Sequence, residues 1–344
     1  MSNKLKLIKK FNVLLWCLVF IEFPAHATEI TGAGSTSFSP LVKNWNEGSS
    51  TGVSIKYSAS TSGKGIQSIK NKEVDFGQAD APLSKAELDK NELFQFPSAL
   101  VAFVVIANLT ADRVTVGELK LDGETLGDIY LGNIKKWNDP RISSLNPKLT
   151  LSDHDIKVFY RNGETGSSYA LTSYLNKHSP EWHQKLGAGM SVNWSTGTGI
   201  EKMKDMAQAI KDTPYSIGYV DLSMSIKESL RYIQLENNSD NFVLPNPEGV
   251  VFALSSSNLS EENGFSTNIA DKENHPKSWP MVGVSYTIIP RVFKDVEKAK
   301  SLIKYFTWAL NYGELRTFQA DLIPIDKGTG SRIKSALNNL LLRQ

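Results

Sequence analysis

The sequence predicts an α/β protein built from open sheets covered by helices and divided into two domains. Three observations predict it. Short strand-like runs alternate with helix-like segments, and the turns between them are rich in Gly, Ser and Thr. The run Leu100 to Ala107 is continuously apolar, as a strand buried on both faces requires. At 344 residues the chain is longer than a single hydrophobic core usually organises, so it is expected to divide.

The elements follow in order. Ile30 opens an apolar segment running into Gly32-Ala33-Gly34-Ser35-Thr36-Ser37, and Pro40 to Trp45 reads as a helix. Val53 to Tyr57 alternates as a strand, Ser58 to Gly65 is polar, and Ile66 and Ile69 then fall at helical spacing. Val74-Asp75-Phe76-Gly77 is a third strand, ending at Asp80. Leu126 to Trp137 reads as a helix, Ile156 to Tyr160 as a strand, Ser167 to Leu175 as a helix and Ile217 to Val220 as a strand. Asn237 to Asn246 and Ser255 to Lys277 lack periodicity and read as surface loops. Met281 to Ile289 returns to strand, and Ala299, Leu302, Ile303, Phe306 and Leu310 mark an amphipathic helix.

The first residues have another character. Lys4, Lys6, Lys9 and Lys10 precede the apolar run Phe11 to Phe23, which closes on Pro24-Ala25-His26-Ala27. This is the pattern of a secretory signal peptide over residues 1–27, cleaved after Ala27; the run is short of the roughly 20 residues a membrane-spanning helix needs. Without this segment the chain carries 34 basic and 35 acidic residues and no Cys, since Cys17 leaves with it. That excludes thiolate metal sites, Cys nucleophiles and disulfides, and the balanced charge argues against nucleic acid as a partner.

Four polar turns carry the candidate chemistry: Gly34 to Ser37, Thr61-Ser62-Gly63, Asp80, and Arg161-Asn162-Gly163-Glu164-Thr165-Gly166-Ser167. In open α/β sheets ligands bind beyond the carboxyl ends of the strands, where helix N-termini offer unpaired N–H groups. An oxyanion suits such turns. Thr36, Ser62, Thr165 and Ser167 add hydroxyl donors, and Arg161 a planar fork for two oxygens. Each turn alone is equally explained as an ordinary helix cap. The segment His178 to His183 does not match zinc-protease spacing, Pro180 reads as a helix breaker, and a solvated loop is expected there. Gly32-x-Gly34, Gly63-Lys64 and Trp194-Ser195-Thr196-Gly197 each lack a Gly that a nucleotide-binding loop or nucleophile elbow requires.

Taken together, Thr31 to Thr36, Val74 to Ser84, Phe94 to Pro97, Leu121 to Trp137 and Arg161 to Leu175 closely resemble the periplasmic phosphate-binding proteins of bacterial high-affinity phosphate ABC transporters, a solute-binding protein family. The likeness is recognisable again at Ile217 to Asp221 and over Trp279 to Gly313. It implies a periplasmic binding protein type II-like fold, with two α/β domains joined by crossover strands and a ligand cleft between them. Domain I would comprise residues 28–103 and 283–344, and domain II residues 104–282, with crossovers at Leu100 to Ala107 and near Met281 to Ser285. It further implies no catalysis, no cofactor and no metal. The ligand would be inorganic phosphate, held by Thr36, Ser37, Ser62, Asp80, Arg161, Thr165, Gly166 and Ser167. Permease subunits with their ATPase would be the partners of a periplasmic monomer.

Two departures stand out. Ser37 replaces a common aromatic residue, and Gly163 replaces an Asp that pairs with the Arg in relatives, leaving open whether Glu164 takes that role. Asp80 would set selectivity. An ionised carboxylate accepts a hydrogen bond from a phosphate O–H but faces sulfate unpaired, a penalty giving discrimination on the order of a thousandfold. Asp80 as a plain helix cap is the competing reading. Also open are a receptor for another oxyanion and a secreted phosphatase or phosphoryl transferase with Ser62 or Ser167 as nucleophile.

Overall fold

Strands rich in Val, Ile and Phe bury one another by pairing, and eight of them here make a single large sheet. The computed structural model describes residues 28–255, 257, 259–272 and 274–344; the expected signal peptide lies outside them. The strands are β1 (Thr28–Ser35), β2 (Val53–Ser60), β3 (Phe76–Ala79), β4 (Leu93–Ala107), β5 (Lys120–Leu121), β6 (Lys157–Arg161), β7 (Thr198–Ile200), β8 (Ser216–Asp221), β9 (Gln234–Glu236), β10 (Phe242–Val243) and β11 (Val282–Pro290). Eight of them run in the order β2-β1-β3-β11-β4-β8-β6-β7, and β10-β9-β5 form a small second sheet.

β4 is the shared member. All 15 of its residues are buried. Leu93 to Ala102 pair antiparallel with β11, and Phe103 to Ala107 pair antiparallel with β8. β1, β2 and β3 are parallel, and so are β6, β7 and β8. Because β8 runs against β4 while β3 runs along it, the carboxyl ends of the two parallel sets face each other over the middle of β4. This apposition positions the site.

The helices follow from capped, one-sided sequences. α1 (Ser39–Gly48) carries Pro40 in its first turn and buries Leu41, Val42 and Trp45. α2 (Ser62–Lys70) is capped by the Thr61 hydroxyl and buries Ile66 and Ile69. α3 (Lys85–Lys90) starts from a reciprocal Ser84 and Glu87 cap. α4 (Gly123–Leu131) ends earlier than its apolar pattern suggested, because Gly132 takes a left-handed φ of 81°; Trp137 therefore lies beyond the helix. α5 (Pro140–Leu145) is short, and α6 (Gly166–His178) begins at the Thr165 cap. The helix Val296–Tyr312 buries Ala299, Leu302, Ile303 and Phe306 and packs on β1 and β2.

Two loop expectations are corrected. Around Pro180 there is no solvated loop: Ser179 caps a new helix, Pro180–Lys185, with Pro180 in the first turn where its missing N–H costs nothing. His178, ending α6, is desolvated, which lowers its imidazole to about 4. The polar stretches after Asn237 are not free surface either. They contain β10, a 3-10 turn at Glu261–Asn263 and a helix Ile269–Lys272, and they bury Leu259, Phe265 and Ile269. Asn237 itself, 1% exposed, donates through its amide to the carbonyls of Pro276 and Ser278.

Candidate functional site

Each turn of the site continues directly from a strand end. After β1, the Ser35 hydroxyl accepts from the Ser37 N–H, winding Thr36–Phe38 into a 3-10 turn. Thr36 is exposed and Ser37 half-buried. After β2, Ser62 begins α2; its buried hydroxyl accepts from the Asp80 N–H at 3.1 Å. After β6, the Thr165 hydroxyl accepts from the Ser168 N–H at 3.1 Å and donates to the Ser168 hydroxyl at 2.8 Å. Ser167 lies 3.3 Å from Thr165, oxygen to oxygen.

Asp80, just beyond β3, is 2% exposed. Ser285 on β11 donates to its Oδ1 at 2.7 Å, and Ser35 donates to its Oδ2. Burial pushes its carboxyl up to about 6, against the pull of these two hydroxyls and a weaker one from Ser37, while the charge of Asp221 adds to the rise. An acceptor held by neutral donors in a dry place suits a ligand that brings a proton.

Arg161 ends β6, borders the cleft and is 5% exposed. The Nε–H donates to the Ile200 carbonyl at 3.2 Å, an Nη2–H donates to the Glu201 carbonyl, and Nη1 lies 3.6 Å from the Met203 sulfur. Burial pulls its pKa down, with Tyr219, Asp221 and Asp205 opposing. Glu164 does not replace the missing carboxylate; it packs against Gly63. The positive charge of Arg161 is thus oriented by backbone carbonyl dipoles.

The two sides meet at Gly166. A Cβ there would lie 2.4 Å from the Asp80 Cβ and 3.1 Å from the Ser62 hydroxyl, so only Gly permits the approach. Beside it the Gly63 N–H donates to the Glu164 carbonyl at 3.1 Å. The structure therefore brings Ser62, Asp80 and Gly166 into contact, with Thr165 and Ser167 buried behind them. Thr36, Ser37 and Arg161 instead face a cleft of about 900 Å³, also lined by Ala102 of β4 and Asp321. The eight residues do not surround one common space.

Four participants were missed from the sequence. Ser285 and Thr287 interrupt an apolar strand at alternate positions, and Gln78 does so two residues before Asp80; polar residues sharing one face of a buried strand were the available signal. Tyr219 is the fourth: its hydroxyl accepts from the Arg161 N–H at 2.8 Å and lies 2.8 Å from the Ser168 hydroxyl, tying the Arg161 strand end to α6.

A family model described as a PBP superfamily domain matches residues 24–311. Phosphate-binding protein PstS of Haemophilus influenzae is 35% identical over 330 residues, covering 95% of this chain and 98% of that protein. Phosphate-binding protein PstS of Pasteurella multocida is 32% identical over 328 residues, covering 94% of each. Among solved structures, a phosphate binding protein from Stenotrophomonas maltophilia superposes with a TM-score of 0.68 at 18% identity, over 90% of this chain and 94% of that one. A putative phosphate ABC transporter substrate-binding protein from Clostridium perfringens, with bound phosphate, gives 0.60 at 16% identity over 87% and 100%.

Proposed function

Because the chain belongs to the PBP superfamily, among the PstS-type phosphate-binding proteins, we propose that it binds inorganic phosphate with high affinity and delivers it to an ABC transporter permease. The fold is the periplasmic binding protein type II-like architecture. The role is one of binding, not catalysis, and needs no cofactor.

The observation that carries the reading is Asp80: a buried carboxylate whose oxygens accept from Ser285 and Ser35, set among donors from opposed strand ends. Phosphate at neutral pH brings the proton such an acceptor needs, and sulfate brings none. Thr36, Ser37, Ser62, Thr165, Gly166 and Ser167 would supply hydroxyl and N–H donors, and Arg161 the countercharge. In this reading the lobes are residues 28–103 with 283–344, and residues 104–282. The change of β4 partner after Ala102 supports that division. The mature protein would start after Ala27, act in the periplasm as a monomer and meet permease subunits with their ATPase.

Calorimetric titration of protein stripped of ligand by unfolding and refolding tests this. Micromolar or tighter binding of one phosphate, with no heat from sulfate, is expected. Equal binding of both anions would leave an oxyanion receptor without proton-based selectivity, and binding of neither would overturn the reading. Turnover of a chromogenic phosphate ester, lost in Ser62→Ala, would do so as well.

A further inference from the structure

Asp80 ends a chain of buried side chains that crosses neighbouring strands. It runs from Ser98 on β4 to Thr287 on β11, to Gln78 on β3, back to Ser285 on β11, and then to Asp80. Ser35 on β1 closes it from the far side. None of the six is more than 5% exposed, and Gln78 and Thr287 are fully buried.

The direction of the chain follows from its charged end. An ionised carboxylate only accepts, so Ser285 directs its single O–H to Oδ1 at 2.7 Å. The oxygen of Ser285 is then free to accept, and the Gln78 Nε2–H donates to it at 2.8 Å. That fixes the amide: its Oε1 faces the other way and accepts from Thr287 at 3.0 Å. Thr287 has no second hydrogen, so Ser98 donates to Thr287. On the opposite flank, the Ser35 oxygen takes the Ser37 N–H at 3.3 Å, and its own hydrogen goes to Oδ2. Every donor in the chain is aimed at the carboxylate.

A proton on Oδ1 would leave that oxygen a weaker acceptor for the Ser285 hydrogen. Ser285 could not turn away to find another acceptor at Gln78, because Gln78 presents N–H there. The same holds on Oδ2 through Ser35 and the Ser37 N–H. We infer that Gln78, acting through Ser285, is a positioning and specificity-determining residue that holds Asp80 as an acceptor, so that the proton of the contact must come with the ligand. The inference rests on the phosphate reading for its ligand, and Gln78 is placed to act without touching that ligand. Other groups facing Asp80 are Tyr57 from β2, Asp221 at the end of β8, and Ser37 and Ser62 from the turns; burial and Asp221 favour protonation, against the chain.

Three variants test it: Gln78→Met, which keeps the length and removes the amide; Ser285→Ala, which removes the hydroxyl; and Ser285→Thr, which retains it. The Asp80 carboxyl carbon is titrated by ¹³C NMR in phosphate-free protein, and phosphate and sulfate binding are measured by calorimetry from pH 5 to pH 8. For Gln78→Met and Ser285→Ala the expected result is a midpoint raised by about one pH unit and a phosphate-to-sulfate preference at neutral pH narrowed about tenfold. Ser285→Thr should match the parent in both. An unchanged midpoint and preference in folded Gln78→Met and Ser285→Ala would overturn the inference. If Gln78→Met does not fold, Ser285→Ala, the smaller change, decides alone. Should the parent bind neither anion, the phosphate reading fails, while the carboxyl titration still supports or overturns the role of the chain.

Discussion

Replacing Asp80 by Asn should change how stability depends on pH. In the folded chain this carboxyl is pushed up to about 6, with burial the largest cause; its ordinary value is 3.8. Between those two values the folded protein holds a proton that the unfolded chain has released. Asp80 therefore favours folding fully below pH 3.8 relative to neutral pH, and the advantage is lost as the pH rises through about 6. A shift of roughly two units corresponds to about 3 kcal/mol, most of it falling between pH 4 and pH 7. Asn does not titrate, so whatever its amide gains or loses against Ser35 and Ser285 is a constant offset. Asp221 and Glu236, also raised by burial, are common to both proteins and drop out of the difference. Urea unfolding of parent and Asp80→Asn in phosphate-free buffer, at pH 4, 5, 6 and 7, reads the effect directly. The difference in unfolding free energy should move by about 2 to 3 kcal/mol toward the variant as the pH rises. A flat difference would refute the reasoning, because it would mean that Asp80 titrates alike in folded and unfolded chains.

Other perturbations have equally definite outcomes. Arg161→Met should leave the fold intact and weaken phosphate binding by about 2 kcal/mol, the loss of one charge-assisted contact, as measured by calorimetry. Gly166→Ala forces a methyl into the space held by Asp80 and Ser62; overpacking of about 1–3 kcal/mol should appear in thermal unfolding, together with loss of binding. Tyr219→Phe strips the acceptor from the buried Arg161 N–H, which should cost about 1–3 kcal/mol in denaturant unfolding and weaken binding through the displaced strand end. Asp80→Asn should also narrow the gap between phosphate and sulfate affinities; unchanged selectivity would count against the role given to that carboxylate.

Much of this was legible because the informative residues are local. The strands from β1 to β3, α2 and α6 announce themselves as apolar runs bounded by Gly, Ser and Thr, and the turns between them hold all eight candidate ligand residues. β4 was read from Leu100 only. Its first half contains Gln95 and Pro97, which break the apolar pattern; in the fold the Gln95 amide is satisfied by Leu83, and Pro97 pairs with Tyr286 beside the register shift. What the sequence could not reveal depends on distant pairing. Gln78 and Ser285 are 207 residues apart and become partners only when β11 inserts beside β3. The fate of Glu164 was hidden for the same reason: its neighbour, Gly63, stands in the turn after β2, far away in sequence.

The placement of β11 also governs the order in which the molecule can assemble. It lies between β3 and β4, yet it follows them by most of the chain's length, and its last residue, Pro290, pairs with Leu93. As the chain emerges from its N-terminus, β1, β2 and β3 can associate early, but β4 has no neighbour on that side until residue 290 has appeared. Closing so long a loop costs chain entropy that the pairing of the late strand must offset, which makes sheet completion a slow, non-local event. A fragment ending before Val282 would keep every residue of the proposed ligand set while its central strand faced an unpaired gap. The order of the strands along the chain thus keeps the proposed ligand residues from being fixed in place until the sheet is nearly whole.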